Sequence, residues 1–277
     1  MIVGLLHPGQ MGSAIAARLT RAGHIVLWVP EGRSSTTVER AADAGLQAST
    51  PRELVSTAEI VLSICPAGAA GEVAESVMKH RYTGIYVEAN AINPDRARAI
   101  NDALADTATV IDAAISGKPP SDDEGPRIYL AGPPEPTAAV EELLVGSRLD
   151  ARRLNDTIGA ASAFKMMTAS YMREARAAAM EAHALAAQYG VTDALIQEAH
   201  HLGASMLADR DSIPSVAARA WRWAFEMQEI STTQKEANLP TGLAEGAEAI
   251  FERLTAAKDQ WSITPDEVFA LLKDPPS

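Results

Sequence analysis

The chain opens Ile2-Val3-Gly4-Leu5-Leu6-His7-Pro8-Gly9-Gln10-Met11-Gly12, and this stretch decides how its first half is read. Ile2–Leu6 is a continuous apolar run, as expected of a strand covered on both faces. The amphipathic stretch Met11–Ala22 follows and reads as a helix. Placed on the Gly-x-Gly-x-x-Gly fingerprint of dinucleotide sites, Gly9 and Gly12 fill the second and third positions. Gly9 lets the backbone approach a pyrophosphate with no Cβ in the way, and Gly12 lets the helix pack close to the strand. The anion would rest on the helix N-terminus, where unpaired N–H groups and the dipole favour negative charge. His7 stands where the first glycine belongs, so the tight turn must be made differently, with help from Pro8. Residues His7, Pro8, Gly9, Gln10, Met11 and Gly12 are the predicted cofactor loop.

Outward from that loop the pattern repeats. Candidate strands are Ile25–Val29, Ile60–Ile64, Gly84–Glu88, Thr109–Ala113 and Arg127–Ala131. Helical patterns lie between them at Thr37–Ala44, Pro51–Ser56, Ala69–Lys79, Pro94–Ala105 and Pro136–Leu144. Such alternation predicts βαβ units and a doubly wound, mostly parallel α/β sheet of the Rossmann type. After Asn155 no strand-like run appears. Thr157–Tyr189 is rich in Ala, Met and Glu, contains no proline and stops at Gly190, which predicts one long helix. Further helices are expected at Asp193–Ala208, Ser215–Ala237, Thr241–Lys258 and Pro265–Leu272, with turns at Asp209–Pro214 and Asn238–Pro240. The organisation predicted is a Rossmann domain over 1–154 and an all-helical domain over 155–277. Ser121–Pro126 reads as a polar surface loop and Asp274–Ser277 as a frayed tail.

Bulk properties narrow the function classes. The 277 residues are 47% hydrophobic and 22% charged, an ordinary globular composition. A net charge of -12 repels phosphodiester backbones, which argues against nucleic acid as a partner. A lone cysteine, Cys65, forms no intrachain disulfide and fits a reducing compartment. The N-terminus shows no basic export signature, and no apolar run is long enough to span a bilayer. The expectation is a cytoplasmic protein without membrane partners. His183, His200 and His201 lack metal-ligand partners at useful spacing, so no metal is expected.

The residues after the second strand bear on cofactor choice. An acidic side chain about 20 positions beyond the glycine loop would hold a ribose 2′-hydroxyl. Trp28-Val29-Pro30 offers none, and Glu31 comes slightly late. Arg33, Ser34 and Ser35 follow, and a guanidinium with hydroxyls suits a 2′-phosphate. NADP is therefore expected over NAD.

Five stretches together carry a family resemblance: Gly4–Gly12, Val87–Pro94 (Val-Glu-Ala-Asn-Ala-Ile-Asn-Pro), Asp112–Pro119 (Asp-Ala-Ala-Ile-Ser-Gly-Lys-Pro), Gly159–Met166 (Gly-Ala-Ala-Ser-Ala-Phe-Lys-Met) and Ala220–Ile230. In this order and spacing the chain resembles the β-hydroxyacid dehydrogenase superfamily, which includes 6-phosphogluconate dehydrogenase and the imine reductases. More narrowly, it resembles the short branch with a small helical C-terminal domain. The resemblance implies that Cys65, Pro66 and Ala67 pass the cofactor ribose and that Asn90 lies near the nicotinamide. It implies that Ser116 and Gly117 hold a substrate carboxylate, with Lys118 where the family has a second glycine. Glu226 matches an acidic position that helps assemble the site. Cys65 is not expected to act as a nucleophile, and Asp112 is expected to be a structural hydrogen-bonding residue. The long alanine-rich helix implies a homodimer, as such helices pair closely in this superfamily.

Reduction of a carbonyl needs a hydride, which the cofactor brings, and a proton, which the protein must supply. Lys165, about two turns into the long predicted helix, is the expected general acid/base. Burial and a nearby helix N-terminus both disfavour its ammonium form. The resemblance places the family's catalytic lysine here. The family's asparagine one turn on is Ala169 in this chain, and Thr168 shares the face of Lys165 and is a candidate substrate contact. The expected activity interconverts a small hydroxy acid and its oxo acid. The alternatives are an imine reductase, a class that usually replaces the lysine, and a non-catalytic NADP-binding sensor or accessory protein.

Overall fold

The computed structural model describes residues 1–121 and 124–273. Asp122 and Asp123 of the expected polar loop, and the expected frayed tail, lie outside the described residues. The chain divides into two compact units, Met1–Lys165 and Met166–Ser277.

The first unit begins β1 (Ile2–Leu5), α1 (Gln10–Arg21), β2 (Ile25–Trp28), α2 (Ser35–Asp43), β3 (Gln47–Ala48), α3 (Pro51–Thr57) and β4 (Ile60–Ser63). A 3₁₀ turn, Ala67–Ala69, leads into α4 (Ala70–Lys79). Then come β5 (Ile85–Glu88), α5 (Pro94–Leu104), β6 (Thr109–Ser116), β7 (Arg127–Ala131), α6 (Pro134–Leu144) and β8 (Asp150–Arg153). The eight strands form one sheet in the order β3-β2-β1-β4-β5-β6-β7-β8. Every pairing is parallel except β6 with β7. Alternate strand residues enter two separate cores. Val3, Leu5, Leu62, Val87 and Ile111 pack on one side, and Val61, Tyr86 and Val110 on the other with Leu54 and Leu104. Burial on both faces is why these strands are continuous apolar runs rather than alternating ones.

Strands β3 and β8 were not expected. β3 is two exposed residues, and Asp-Ala-Arg-Arg in β8 carries no apolar run. Both are edge strands, held by one neighbour, where polar side chains are tolerated. β6 runs three residues beyond the expected Thr109–Ala113, which places Ser116 on the strand end rather than in the loop.

α7 (Ala160–Tyr189) starts three residues later than expected. Thr157 N–H is taken by Asn155 Oδ1 at 2.9 Å, so the chain turns ahead of the helix. Lys165 therefore lies about one and a half turns into α7. In the second unit follow α8 (Thr192–His201), α9 (Ser205–Ala208), a 3₁₀ turn Arg210–Ser212, α10 (Ile213–Ala217), α11 (Ala220–Glu236), α12 (Gly242–Arg253), a 3₁₀ turn Thr255–Ala257 and α13 (Pro265–Lys273). The single helix expected over Asp193–Ala208 is thus two, divided at Leu202–Ala204. The Asp209–Pro214 turn is partly helical. Its 3₁₀ segment is capped by Asp209, whose carboxylate accepts Ser212 N–H. Met180, Ile213, Val216, Met227, Ile230, Phe251 and Phe269 are buried in this unit. Among the described residues it holds no strand, and no helix is long and apolar enough to cross a membrane.

Candidate functional site

Strand order reverses between β1 and β4, since β2 and β3 lie to one side of β1 and β5 onward to the other side of β4. In open α/β sheets, ligands bind outside the carboxyl ends of the strands at such a switch point. The loop after β1 lies there. It closes without a first glycine, because Gly9 N–H donates to the His7 carbonyl across 2.8 Å. A Cβ on Gly12 would stand 2.6 Å from that same carbonyl, so α1 approaches the loop only because residue 12 has no side chain. Gly9 is the N-cap of α1, with its carbonyl taken by Ser13 N–H at 2.9 Å.

Two guanidinium groups converge on this loop. Arg33 Nη1 lies 2.9 Å from His7 Nδ1, and Arg33 Nη2 donates to the Leu6 carbonyl at 3.1 Å. Arg40, from α2, donates to the Pro8 carbonyl at 3.4 Å. Arg33 Nε is buried and has no hydrogen-bond partner. An orphaned cationic donor beside a glycine loop fits a phosphate of a nicotinamide dinucleotide. Burial, and then the charges of Arg33 and Arg40, hold the His7 imidazole below its ordinary value and favour the neutral ring. Ser34 caps α2, its hydroxyl accepting Thr37 N–H at 3.3 Å, while Ser35 and Glu31 are exposed.

The next two loops are tied together. Cys65 N–H donates to Asn90 Oδ1, and Asn90 Nδ2 donates to Ser63 Oγ at 2.9 Å. Asn90 also donates to the Glu88 carboxylate through its backbone N–H, at 3.1 Å, and its side-chain amide. Tyr86 donates to the other oxygen of Glu88 at 3.3 Å. Burial pushes the Glu88 carboxyl up to about 7, with the hydrogen bonds from Asn90 opposing. Burial and the neighbouring Glu88 push the Cys65 thiol up to about 11, which keeps it protonated and a poor nucleophile.

At the end of β6, Lys165 Nζ donates to the Ile115 carbonyl at 3.0 Å, beside half-buried Ser116. Gly117 has φ +127°, a conformation that side chains rarely adopt, and Lys118 is exposed. Asp112 anchors the start of α7. Its Oδ2 accepts the N–H groups of Gly159 and Ala161 at 2.9 Å and of Ser162 at 3.0 Å, and its Oδ1 accepts the Ser162 hydroxyl at 2.6 Å. Burial raises the Asp112 carboxyl and these donors oppose the shift. Tyr129 and Phe164 stack with centroids 4.2 Å apart, further fixing the first turns of α7 that carry Lys165.

The remaining sequence candidates belong to the second unit. Thr168 is half-buried on α7 and Ala169 is buried. Tyr171 is 72% exposed. Glu226 Oε2 accepts from Arg173 Nε at 3.0 Å, and the Arg173 guanidinium lies 4.1 Å from the Trp223 ring centre. Trp223 in turn meets the Phe251 ring edge-on. Glu226 is thus engaged in an ion pair within its own unit.

Sequence reasoning missed Arg40, Glu88 and Ser63. An acidic residue ending the apolar run Ile85-Tyr86-Val87 was a usable signal for Glu88. Nothing local distinguishes Arg40 from a solvated helix arginine, because its partner Pro8 is 32 positions away.

Residues 2–148 match the family described as the NAD binding domain of 6-phosphogluconate dehydrogenase, and residues 186–254 match a domain of unknown function, DUF1932. No curated protein matches the chain. Among solved structures, a conserved protein of unknown function, described as structurally similar to 3-hydroxyacid dehydrogenases, is 26% identical with TM-score 0.71, covering 95% of this chain and 100% of that one. The Mycobacterium tuberculosis 3-hydroxyisobutyrate dehydrogenase with L-serine is 18% identical, with TM-score 0.77 and 99% of each chain covered. An imine reductase variant from Myxococcus stipitatus in complex with NAD+ is 16% identical, with TM-score 0.61, covering 98% of this chain and 99% of that one. The last two likenesses bear on the fold alone.

Proposed function

We propose, for a chain that belongs to the family described as the NAD binding domain of 6-phosphogluconate dehydrogenase, an NADP-dependent oxidoreductase that interconverts a small hydroxy acid and its oxo acid. The observation that carries the reading is the Lys165 amine, held at 3.0 Å on the Ile115 carbonyl at the ligand-binding end of β6. The dinucleotide would be held by the Gly9–Gly12 loop, with Arg33 toward a 2′-phosphate and with Cys65, Pro66, Ala67 and Asn90 along the ribose and nicotinamide side. When bound, it supplies or accepts the hydride. Ser116 and the Gly117 backbone hold the substrate carboxylate, and Thr168 and Glu226 are proposed as further substrate contacts. Lys165 gives a proton to the carbonyl oxygen in reduction and takes it back from the hydroxyl in oxidation.

A homodimer through α7 is part of this proposal. Met167 and Leu185 are 65% and 56% exposed, as are Tyr171 and Tyr189 at 72% and 77%. Each pair is separated by five helical turns and therefore shares a stripe that a second copy would cover. The single cysteine is compatible with a cytoplasmic setting.

The test is NADPH oxidation across oxo acids, ketones and cyclic imines, for wild type and Lys165→Ala. The expected result is turnover of oxo acids that falls on the order of 10²- to 10⁴-fold in the variant, with cofactor binding retained. Turnover of imines alone would replace this reading with an imine reductase. Cofactor binding without turnover would make the protein a sensor or accessory factor.

A further inference from the structure

We infer that His7 is the specificity-determining positioning residue of the dinucleotide site: its neutral imidazole holds Arg33 for the 2′-phosphate and releases it on protonation. The inference rests on the NADP reading above. Arg33 comes from the turn after β2, and its guanidinium could extend into solvent, as arginines in turns commonly do. Instead it lies on the β1–α1 loop, fixed at two points, His7 Nδ1 and the Leu6 carbonyl. The carbonyl accepts whatever the pH. The imidazole accepts only when its proton is on Nε2 and Nδ1 carries a lone pair. Protonation places an N–H on Nδ1 facing an N–H of Arg33, turning an acceptor into a second cation 2.9 Å away.

The surroundings favour the accepting form. The charged groups acting on His7 are Arg33 and Arg40, both cationic, and burial acts in the same direction. Cys65, across the switch point, also feels Arg33 but stays protonated. The residue that displaces the first glycine of the fingerprint thus has a function of its own. It exchanges the simplest turn for a side chain that orients the 2′-phosphate cation, while Gly9 N–H and the His7 carbonyl still close the turn.

The experiment measures dissociation constants of NADPH and NADH by fluorescence from about pH 8 to about pH 5.5, for wild type, His7→Asn, His7→Leu, Arg33→Ala and His7→Leu/Arg33→Ala. Asparagine offers an amide oxygen near the Nδ1 position and does not titrate. The 2′-phosphate of the free cofactor titrates at about pH 6 whichever variant it meets, so that contribution cancels when wild type is compared with His7→Asn. In wild type the preference for NADPH should fall about tenfold more on acidification than in His7→Asn. His7→Leu should lose about tenfold of the preference even at pH 8, and the double variant should prefer NADPH no less than Arg33→Ala does. Superimposable pH profiles for wild type and His7→Asn would overturn the inference, as would additive losses in the double variant. Should His7→Leu not fold, the wild-type and His7→Asn profiles decide alone. If Arg33→Ala lowers the preference and no His7 variant does, only this inference fails. If Arg33→Ala changes NADPH and NADH binding equally, the NADP reading fails and takes this one with it.

Discussion

Glu88 and Asp112 stand opposite one another in the parallel register of β5 and β6, two carboxyl groups 1% and 0% exposed at the ligand-binding end of the sheet. They are held in different ways. Asp112 accepts three backbone N–H groups and a hydroxyl, all from the start of α7. Glu88 accepts from Asn90 and Tyr86, and the charge of Asp112 adds to the burial that raises it. One carboxyl anchors the helix carrying Lys165, and the other ties the β4 and β5 loops together.

Glu88 should make stability depend on pH. Its carboxyl is raised in the folded chain from 4.5 to about 7, so the folded state binds the proton more tightly than the unfolded state. The stability this contributes is complete below the unfolded value and is lost as pH rises through about 7. The loss is about 3 kcal/mol between those limits. Glu88→Gln keeps an acceptor for Asn90 and cannot ionise. Urea unfolding at pH 5 and pH 8 should show wild type losing that stability while the variant stays nearly flat; equal losses would show that Glu88 is not the group responsible.

Removing the carboxylate of Asp112 leaves three buried N–H groups of the α7 start without their acceptor. Asp112→Ala should cost about 2–4 kcal/mol. Amide exchange at Gly159, Ala161 and Ser162 should accelerate before that of the β1–β4 core. An unchanged melting temperature would remove the anchoring role.

Gly12→Ala sets a methyl group 2.6 Å from the His7 carbonyl, inside any tolerated contact. α1 or the loop must move. Dinucleotide affinity should fall at least about tenfold, with a stability loss of about 1–3 kcal/mol. Calorimetric titration that finds wild-type affinity in a folded Gly12→Ala protein would contradict the close approach.

Glu226→Ala leaves the Arg173 guanidinium over the Trp223 ring without its carboxylate. A loss of about 2 kcal/mol is expected, partly recovered in Arg173→Ala/Glu226→Ala because the stranded cation is gone. A double-mutant cycle in thermal unfolding checks this. If Glu226→Ala instead leaves stability intact and raises only the substrate KM, the ion pair is incidental and Glu226 acts on substrate.

The readily legible features were those written in contiguous residues. The alternation of apolar runs with amphipathic stretches predicted six strands and their helices, because burial on both faces of a sheet admits almost no polar residue. Gly9 and Gly12 marked the turn between β1 and α1, because the close approach of α1 to the His7 carbonyl excludes a Cβ at residue 12. The edge strands β3 and β8 were missed because strands with one neighbour tolerate polar side chains. The break between α8 and α9 falls at Gly203, whose φ of +66° ends α8, so the missed signal there was a single glycine.

By itself, then, the chain determined a parallel sheet with a glycine loop at its first turn, followed by helices, since these follow from patterns spanning a few residues. Only tertiary structure decided that Asp112 caps a helix 47 to 50 positions later, that Lys165 rests on Ile115, and that Arg33 and Arg40 close on His7 and Pro8. Each of those contacts depends on strand order and register, which bring distant loops to one end of the sheet, and no local spacing encodes which loops will meet there.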